Sequence, residues 1–215
     1  MSRKKLTSVA AESRTERNEE WTLNFIDIVT NYDVEQLHWF DESSVIKTTG
    51  NRVYGHAEKG KAAVEIQRHA TNANYTVNLL VSSPGIDNVD IIDGPSNGLE
   101  MVNFFEEAVR TVDAFGNPVL SQGDCVILDN CGFHHGRQVE PVLRELLRGQ
   151  GVELLFQPPY SPQFNVCELC FRYLKIYLKD NEEYTYNFTE LAIADALTRI
   201  GPGVCRRFAF NCAYI

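Results

Sequence analysis

The run Cys125-Val126-Ile127-Leu128 restricts the fold of this chain more than any other stretch. It is short and apolar at every position, so it leaves no face for water and suits a strand covered on both sides of a sheet. The residues beyond it agree with that reading. Val139, Val142, Leu143, Leu146 and Leu147 recur at three- and four-residue steps and stop at Gly149, which predicts an amphipathic helix. Val152 to Phe156 then reads as a second buried strand.

The same periodicities organise the rest. After a polar lead-in of mixed charge, Trp21, Phe25, Ile28 and Val29 predict a short helix over Trp21 to Val29. Leu37 to Asp41 reads as the first strand, followed by strands at Arg52 to Gly55 and Tyr75 to Ser82, the second alternating Tyr75, Val77, Leu79 and Val81 against Thr76, Asn78 and Leu80. Asp93 to Gly98 is a turn cluster in which Asn97 and Glu100 resemble a capping box, opening a helix that carries Val102, Phe105, Ala108, Val109 and Val112. Beyond Asn165, the positions Val166, Leu169, Cys170, Tyr173, Leu174, Tyr177 and Leu178 mark a long helix. A last helix spans Thr189 to Ile200, ended by Gly201-Pro202-Gly203. Strands first, then alternating helix and strand, then helices: this order predicts an α/β fold, a mixed central sheet with helices on both faces. The expected organisation is a lead-in over residues 1–36, one domain over 37–200 and a C-terminal tail over 201–215.

With 44% hydrophobic residues, 215 residues bury one sizeable core. No stretch approaches the roughly 18 apolar residues of a membrane span, and the start is followed by polar sequence, so an intracellular protein without a membrane partner is expected. Six cysteines, at 125, 131, 167, 170, 205 and 212, fall mostly inside apolar strands and helices, where reduced thiols are expected. Cys167 and Cys170 have zinc-like spacing, but no second pair follows, and packing is the better reading. A net charge of −9 argues against a chain that coats nucleic acid indiscriminately. The charge is uneven, however. Acids dominate from Asp87 to Asp124, whereas Lys47, Arg52, Lys59, Lys61 and Arg68 follow Asp41, and Arg137, Arg144, Arg148, Arg172, Lys175 and Lys179 surround Asp129 and Glu168.

Ligands of open α/β sheets collect at the carboxyl ends of strands, and both Asp41 and Asp129 close apolar runs there. Taken singly, each is equally a turn residue bonding nearby amides. Glu168 sits three residues after Asn165, either as a helix cap bonding back or as a ligand pointing across to Asp129. Pro158, Pro159 and Pro162 stiffen the approach to that helix. If the three carboxylates converge, they are what a protein needs to hold Mg²⁺ against a phosphodiester.

Asp129-Asn130-Cys131-Gly132-Phe133-His134, then Pro158-Pro159-Tyr160-Ser161-Pro162, then Asn165 with Glu168, resembles the catalytic core of the mariner-type DDE transposases, particularly the branch close to bacterial insertion sequences. Phe40-Asp41-Glu42-Ser43 resembles the segment of that family's first Asp. Arg52 to Gly55 with Lys59-Gly60, and Asp93-Gly94-Pro95 with Asn97-Gly98, extend the likeness over about Leu37 to Lys179. The resemblance implies an RNase H-like fold with Asp41, Asp129 and Glu168 as catalytic residues binding two divalent ions, Mg²⁺ or Mn²⁺, roughly 4 Å apart. It implies cleavage and strand transfer of DNA, with transposon ends and target DNA as partners and a homodimer as the assembly. In a eukaryote the place of action is the nucleus. Lys59, Lys61, Arg172 and Lys175 are the candidates for phosphate contact, and His134 either steadies the loop after Asp129 or approaches DNA.

The chain departs from the family pattern at Val166-Cys167, where Pro-Ile is common, and at Gln163, where an Asp is common. Family members carry helix-turn-helix modules before the core, and the residues ahead of Leu37 are too few for them, so a truncated or separately encoded catalytic half, or a domesticated remnant, is expected. A silent RNase H-like domain that binds protein or DNA is the rival reading. A nuclease acting on hybrids or junctions is a third.

Overall fold

The computed structural model describes residues 14–49, 55–64, 74–132, 134, 136 and 138–215. Its centre is the fully apolar run of residues 125–128. Cys125–Leu128 forms β4, fully buried, and pairs in parallel with β1 (Leu37–Ile46) on one side and β5 (Glu153–Phe156) on the other. β1 pairs antiparallel with β2 (Asn74–Ser82), and β2 with β3 (Gly85–Asp93), so the sheet runs β3-β2-β1-β4-β5.

Alternation along the strands sends side chains to two cores. Trp39, Val77, Leu79, Val81, Cys125 and Ile127 meet α1 (Glu16–Val29), α4 (Val166–Asp180), α6 (Thr189–Thr198) and α7 (Pro202–Asn211). Phe40, Leu80, Val126, Leu128, Leu154 and Phe156 meet α2 (Gly98–Ala108) and α3 (Val139–Gly149). Each large side chain buried here contributes on the order of 2 kcal/mol relative to exposure. A short α5 (Glu182–Asn187) links α4 to α6. The expected mixed sheet with helices on both faces is therefore the observed one.

The differences have local causes. α1 starts at Glu16, not Trp21, because the Thr15 side chain caps it, accepting from the Asn18 amide at 3.3 Å, and its first turn is polar. β1 continues past Asp41 to Ile46 because β2 pairs with it along its length. β3 is a strand that the sequence pattern does not predict. Its apolar alternation is broken where the register shifts between Leu80 and Val81 of its partner. The stretch read as a tail holds α7, in which Pro202 occupies the first helical turn, a position where a missing N–H costs nothing. Cys205 and Ala209 of α7 are buried against the sheet's α4 side. The strand expected at Arg52 to Gly55 falls largely on residues 50–54, outside the described residues.

Candidate active site

Strand register brings the first two acids together. Phe40 pairs with Leu128 across the parallel β1–β4 ladder, so Asp41 and Asp129 are the next residue on adjacent strands. Helix α4 crosses behind them: the Cys167 thiol donates to the Trp39 carbonyl at 3.1 Å, fixing the first turn of α4 against β1. That turn carries Glu168, exposed on its outer side. A cavity of about 300 Å³ at the ends of β4 and β5 is lined by Asp129, Cys131, Pro159, Tyr160, Asn165 and Glu168, among others. Asp41 is close enough for the charges of Asp129 and Glu168 to act on it.

Asn165 ties the acids to the fold. Its Oδ1 caps α4 by accepting from the Cys167 amide at 3.0 Å, while its Nδ2 donates to Asp41 Oδ2 at 2.8 Å. The other Asp41 oxygen accepts from the Glu42 amide at 2.7 Å. With Asn165 performing the cap, Glu168 makes no hydrogen bond among the described residues and faces the cavity with Asp129. Glu168 therefore does not bond back as a cap, and its carboxylate is left at the cavity.

The electrostatics of the acids differ in sign. Burial, then the nearby Asp129 carboxylate, and further off those of Glu42 and Glu168, push Asp41 up to about 7. Burial alone would raise Asp129 too, but His134, with Nδ1 2.6 Å from Asp129 Oδ1, holds it below the usual carboxylate range. His134 is completely buried, which disfavours its charge. Its bonds to Asp129, Cys131 and Glu42, the last at 2.9 Å from Nε2, outweigh that cost and push it up to about 12, so it is an imidazolium at neutral pH. His134 is buried in contact with Asp129 and Glu42, a placement that suits steadying the loop after Asp129.

The other cations stand on the surface. Lys59 and Lys61 are exposed, and Lys61 is ion-paired with Glu58. Arg172 and Lys175 are exposed on α4, four and seven residues beyond Glu168 and hence on its side of the helix. Glu42 is the functional side chain that sequence reasoning passes over. Ending the first strand at Asp41 hides the alternation that places Phe40 and Glu42 on one face, toward His134.

Burial first and the neighbouring carboxylates second raise Asp41, a cost that a bound cation would relieve, and an all-oxygen set of carboxylates is the donor chemistry that hard divalent cations take. These residues therefore fit such ions.

The sheet order β3-β2-β1-β4-β5, with helices on both faces, is that of the RNase H-like fold. The chain belongs to the DDE superfamily endonucleases, whose family model matches residues 36–191. Among solved structures it is similar to the transposase of the Mos1 strand transfer complex, at 13% identity and a TM-score of 0.69, covering 99% of this chain and 64% of that one. It is likewise similar to the Mos1 mariner paired end complex with Mg, at 12% identity and a TM-score of 0.66, over 99% of this chain and 65% of the other. The Mos1 transposase catalytic domain with raltegravir and Mg matches at 13% identity and a TM-score of 0.60, over 92% and 90%. No curated protein matches the chain at a comparable level. The chain thus spans about two thirds of the full transposase chains it resembles.

Proposed function

We propose that Asp41, Asp129 and Glu168 are the catalytic carboxylates of a transposase-type endonuclease that cuts DNA phosphodiesters and transfers the cut strand, with Mg²⁺ or Mn²⁺, two ions, held by all three. The observation that carries this reading is the meeting of Asp41 and Asp129 on adjacent strands with Glu168 at the same crevice. The Mos1 complexes with Mg and with Mn support the choice of ion, and the paired-end and strand transfer complexes support transposon ends and target DNA as substrates.

Bound there, the ions supply activation of water or a 3′-hydroxyl and neutralisation of the leaving oxygen. The chain's own groups prepare the place. His134 keeps Asp129 ionised, Asn165 orients Asp41, and α4 presents Glu168 from a capped, packed first turn. No covalent protein nucleophile is required. Lys59, Lys61, Arg172 and Lys175 contact phosphates, and the acidic β3 to β4 region faces away from DNA. A second copy of the chain serves the second transposon end. Such a protein works inside the cell, in the nucleus of a eukaryote, and no helix among the described residues is long and apolar enough to cross a membrane.

The test is Mg²⁺-dependent cleavage of end-labelled duplex DNA, read alongside the Tm gain on adding Mg²⁺. Both should be lost in Glu168→Gln with the circular dichroism spectrum unchanged. A metal response that survives the substitution, or intact DNA despite metal binding, would favour the silent domain.

A further inference from the structure

The geometry points to a second, chemically different metal site at the edge of the crevice: Asp129, Cys131 and His134 form a binding site for a thiophilic divalent cation of the Zn²⁺ class, and its occupation withdraws Asp129 from the acidic trio. Among the described residues these three are the group whose ligand atoms, one carboxylate oxygen, the thiol sulfur and a ring nitrogen, all lie within 4.8 Å of one another. Bond lengths to Zn²⁺ of about 2.0–2.3 Å put tetrahedral ligand atoms roughly 3.4–3.7 Å apart, so small side-chain movements close the set. The 2.6 Å pair between His134 Nδ1 and Asp129 Oδ1 opens and the cysteine swings in.

Three further observations favour a ligand set over a chance cluster. Histidine ligands to metals characteristically give their other ring N–H to a carboxylate, which fixes the ring, and His134 Nε2 already meets Glu42 Oε2 at 2.9 Å. Cys131 alone of the six cysteines is not buried, and with Asp129 it lines the cavity, so an ion reaches them from solvent and keeps its fourth position open to the cavity. The Cys131 amide, bonded to Asp129 Oδ1 at 3.2 Å, holds the two ligands on one tight loop.

The donor set separates this site from the catalytic one. Mg²⁺ takes oxygens and leaves thiolates, whereas sulfur with imidazole selects Zn²⁺ or Co²⁺. Binding expels the His134 Nδ1 proton and the Cys131 thiol proton to solvent, so a neutral set (imidazolium, carboxylate, thiol) becomes a neutral set of dication, imidazole, carboxylate and thiolate. Inhibition of cleavage by Zn²⁺ is the consequence. That consequence rests on the proposed function, but binding itself does not.

Co²⁺ titrated into the full chain, reduced and free of other metals, should give a thiolate-to-metal charge-transfer band and the d–d bands of a tetrahedral ion, displaced fully by Zn²⁺, while Mg²⁺ in excess weakens Co²⁺ binding only by competing for Asp129. Cys131→Ser should abolish the charge-transfer band, and His134→Gln should weaken Co²⁺ binding at least tenfold. Absence of the band, or its persistence in Cys131→Ser, overturns the site. Where the band appears but Mg²⁺ supports no cleavage by the unmodified chain, the site stands and the endonuclease reading falls.

Discussion

Two of the described histidines are buried between pairs of carboxylates, and the contrast between them is one of access. His38, at the start of β1, has Nδ1 2.9 Å from Asp87 and Nε2 3.3 Å from Asp124, the second contact lacking the alignment of a hydrogen bond. Ser82 completes the set by donating to Asp87 at 2.7 Å. His134 stands between Asp129 and Glu42 in the same way. Both are pushed up, His38 to about 9, because carboxylate partners outweigh the desolvation that opposes their charge. The difference is access. The aspartates of His38 are 10% and 13% exposed, sealed at the sheet's opposite end, while Asp129 is 38% exposed and opens onto the cavity. Chemically alike clusters therefore differ in whether one carboxylate can reach a ligand.

The sharpest break of this comparison is the largest effect. Asp129→Asn should lower cleavage roughly 1,000-fold, since several kcal/mol of charge stabilisation at the metal site disappears. Its cost in stability should be smaller than that of His38→Ala, because Glu42 still pairs with His134 and Asp129 is partly exposed. Equal losses of activity and Tm would mean that the two clusters are not distinct in kind.

His38→Ala should do the reverse, costing about 3 kcal/mol in denaturant unfolding because two half-buried aspartates lose the buried cation they share, with cleavage per folded molecule unchanged. The pH dependence has a defined sign. A folded-state value raised from 6.5 to about 9 means that the contribution of His38 is complete below pH 6.5 and disappears as pH rises through about 9. The Tm difference between the parent chain and His38→Ala should shrink over that window. A constant difference would show that the histidine acts by packing alone.

A smaller effect is expected of Glu42→Gln. Losing the carboxylate that orients His134 should weaken metal affinity or activity about 10- to 100-fold, with the thermal midpoint close to that of the parent chain. Smallest are the surface cations. Alanine at Lys59, Lys61, Arg172 or Lys175 should each flatten the salt dependence of DNA binding by about one unit of log–log slope. A residue that leaves the slope unchanged is a solvated neighbour of the site and no part of it.

Much of this arrangement is legible in the sequence because its signals are local. Asp129 follows a run with no polar position, and Glu168 follows an Asn cap, so each acid announces its place at an element end. Asp41 is found by the same rule, although its strand in fact continues to Ile46. Glu42 escapes for that reason: its role depends on strand alternation beyond an end that local apolarity sets too early. β3 and α7 are hidden by tertiary causes. The alternation of Ile86, Val89 and Ile91 slips at a bulge in the pairing with β2, and Pro202 punctuates the sequence like a stop while serving as a start. The partnership of His38 with Asp87 and Asp124 spans 49 and 86 positions of chain, and no short-range pattern records it.

Asn165 has a consequence for which sequences this fold admits. Its amide must accept at one end, from the first turn of α4, and donate at the other, to Asp41. Asp would cap the helix equally well but place a fourth negative group against Asp41. Ser would cap but offers one short arm where two are used, and Gln has the two arms on a stem too long for a capping position. In a library randomised at this codon and selected for cleavage, asparagine should be recovered almost alone, whereas selection for folding only should return Asp and Ser beside it.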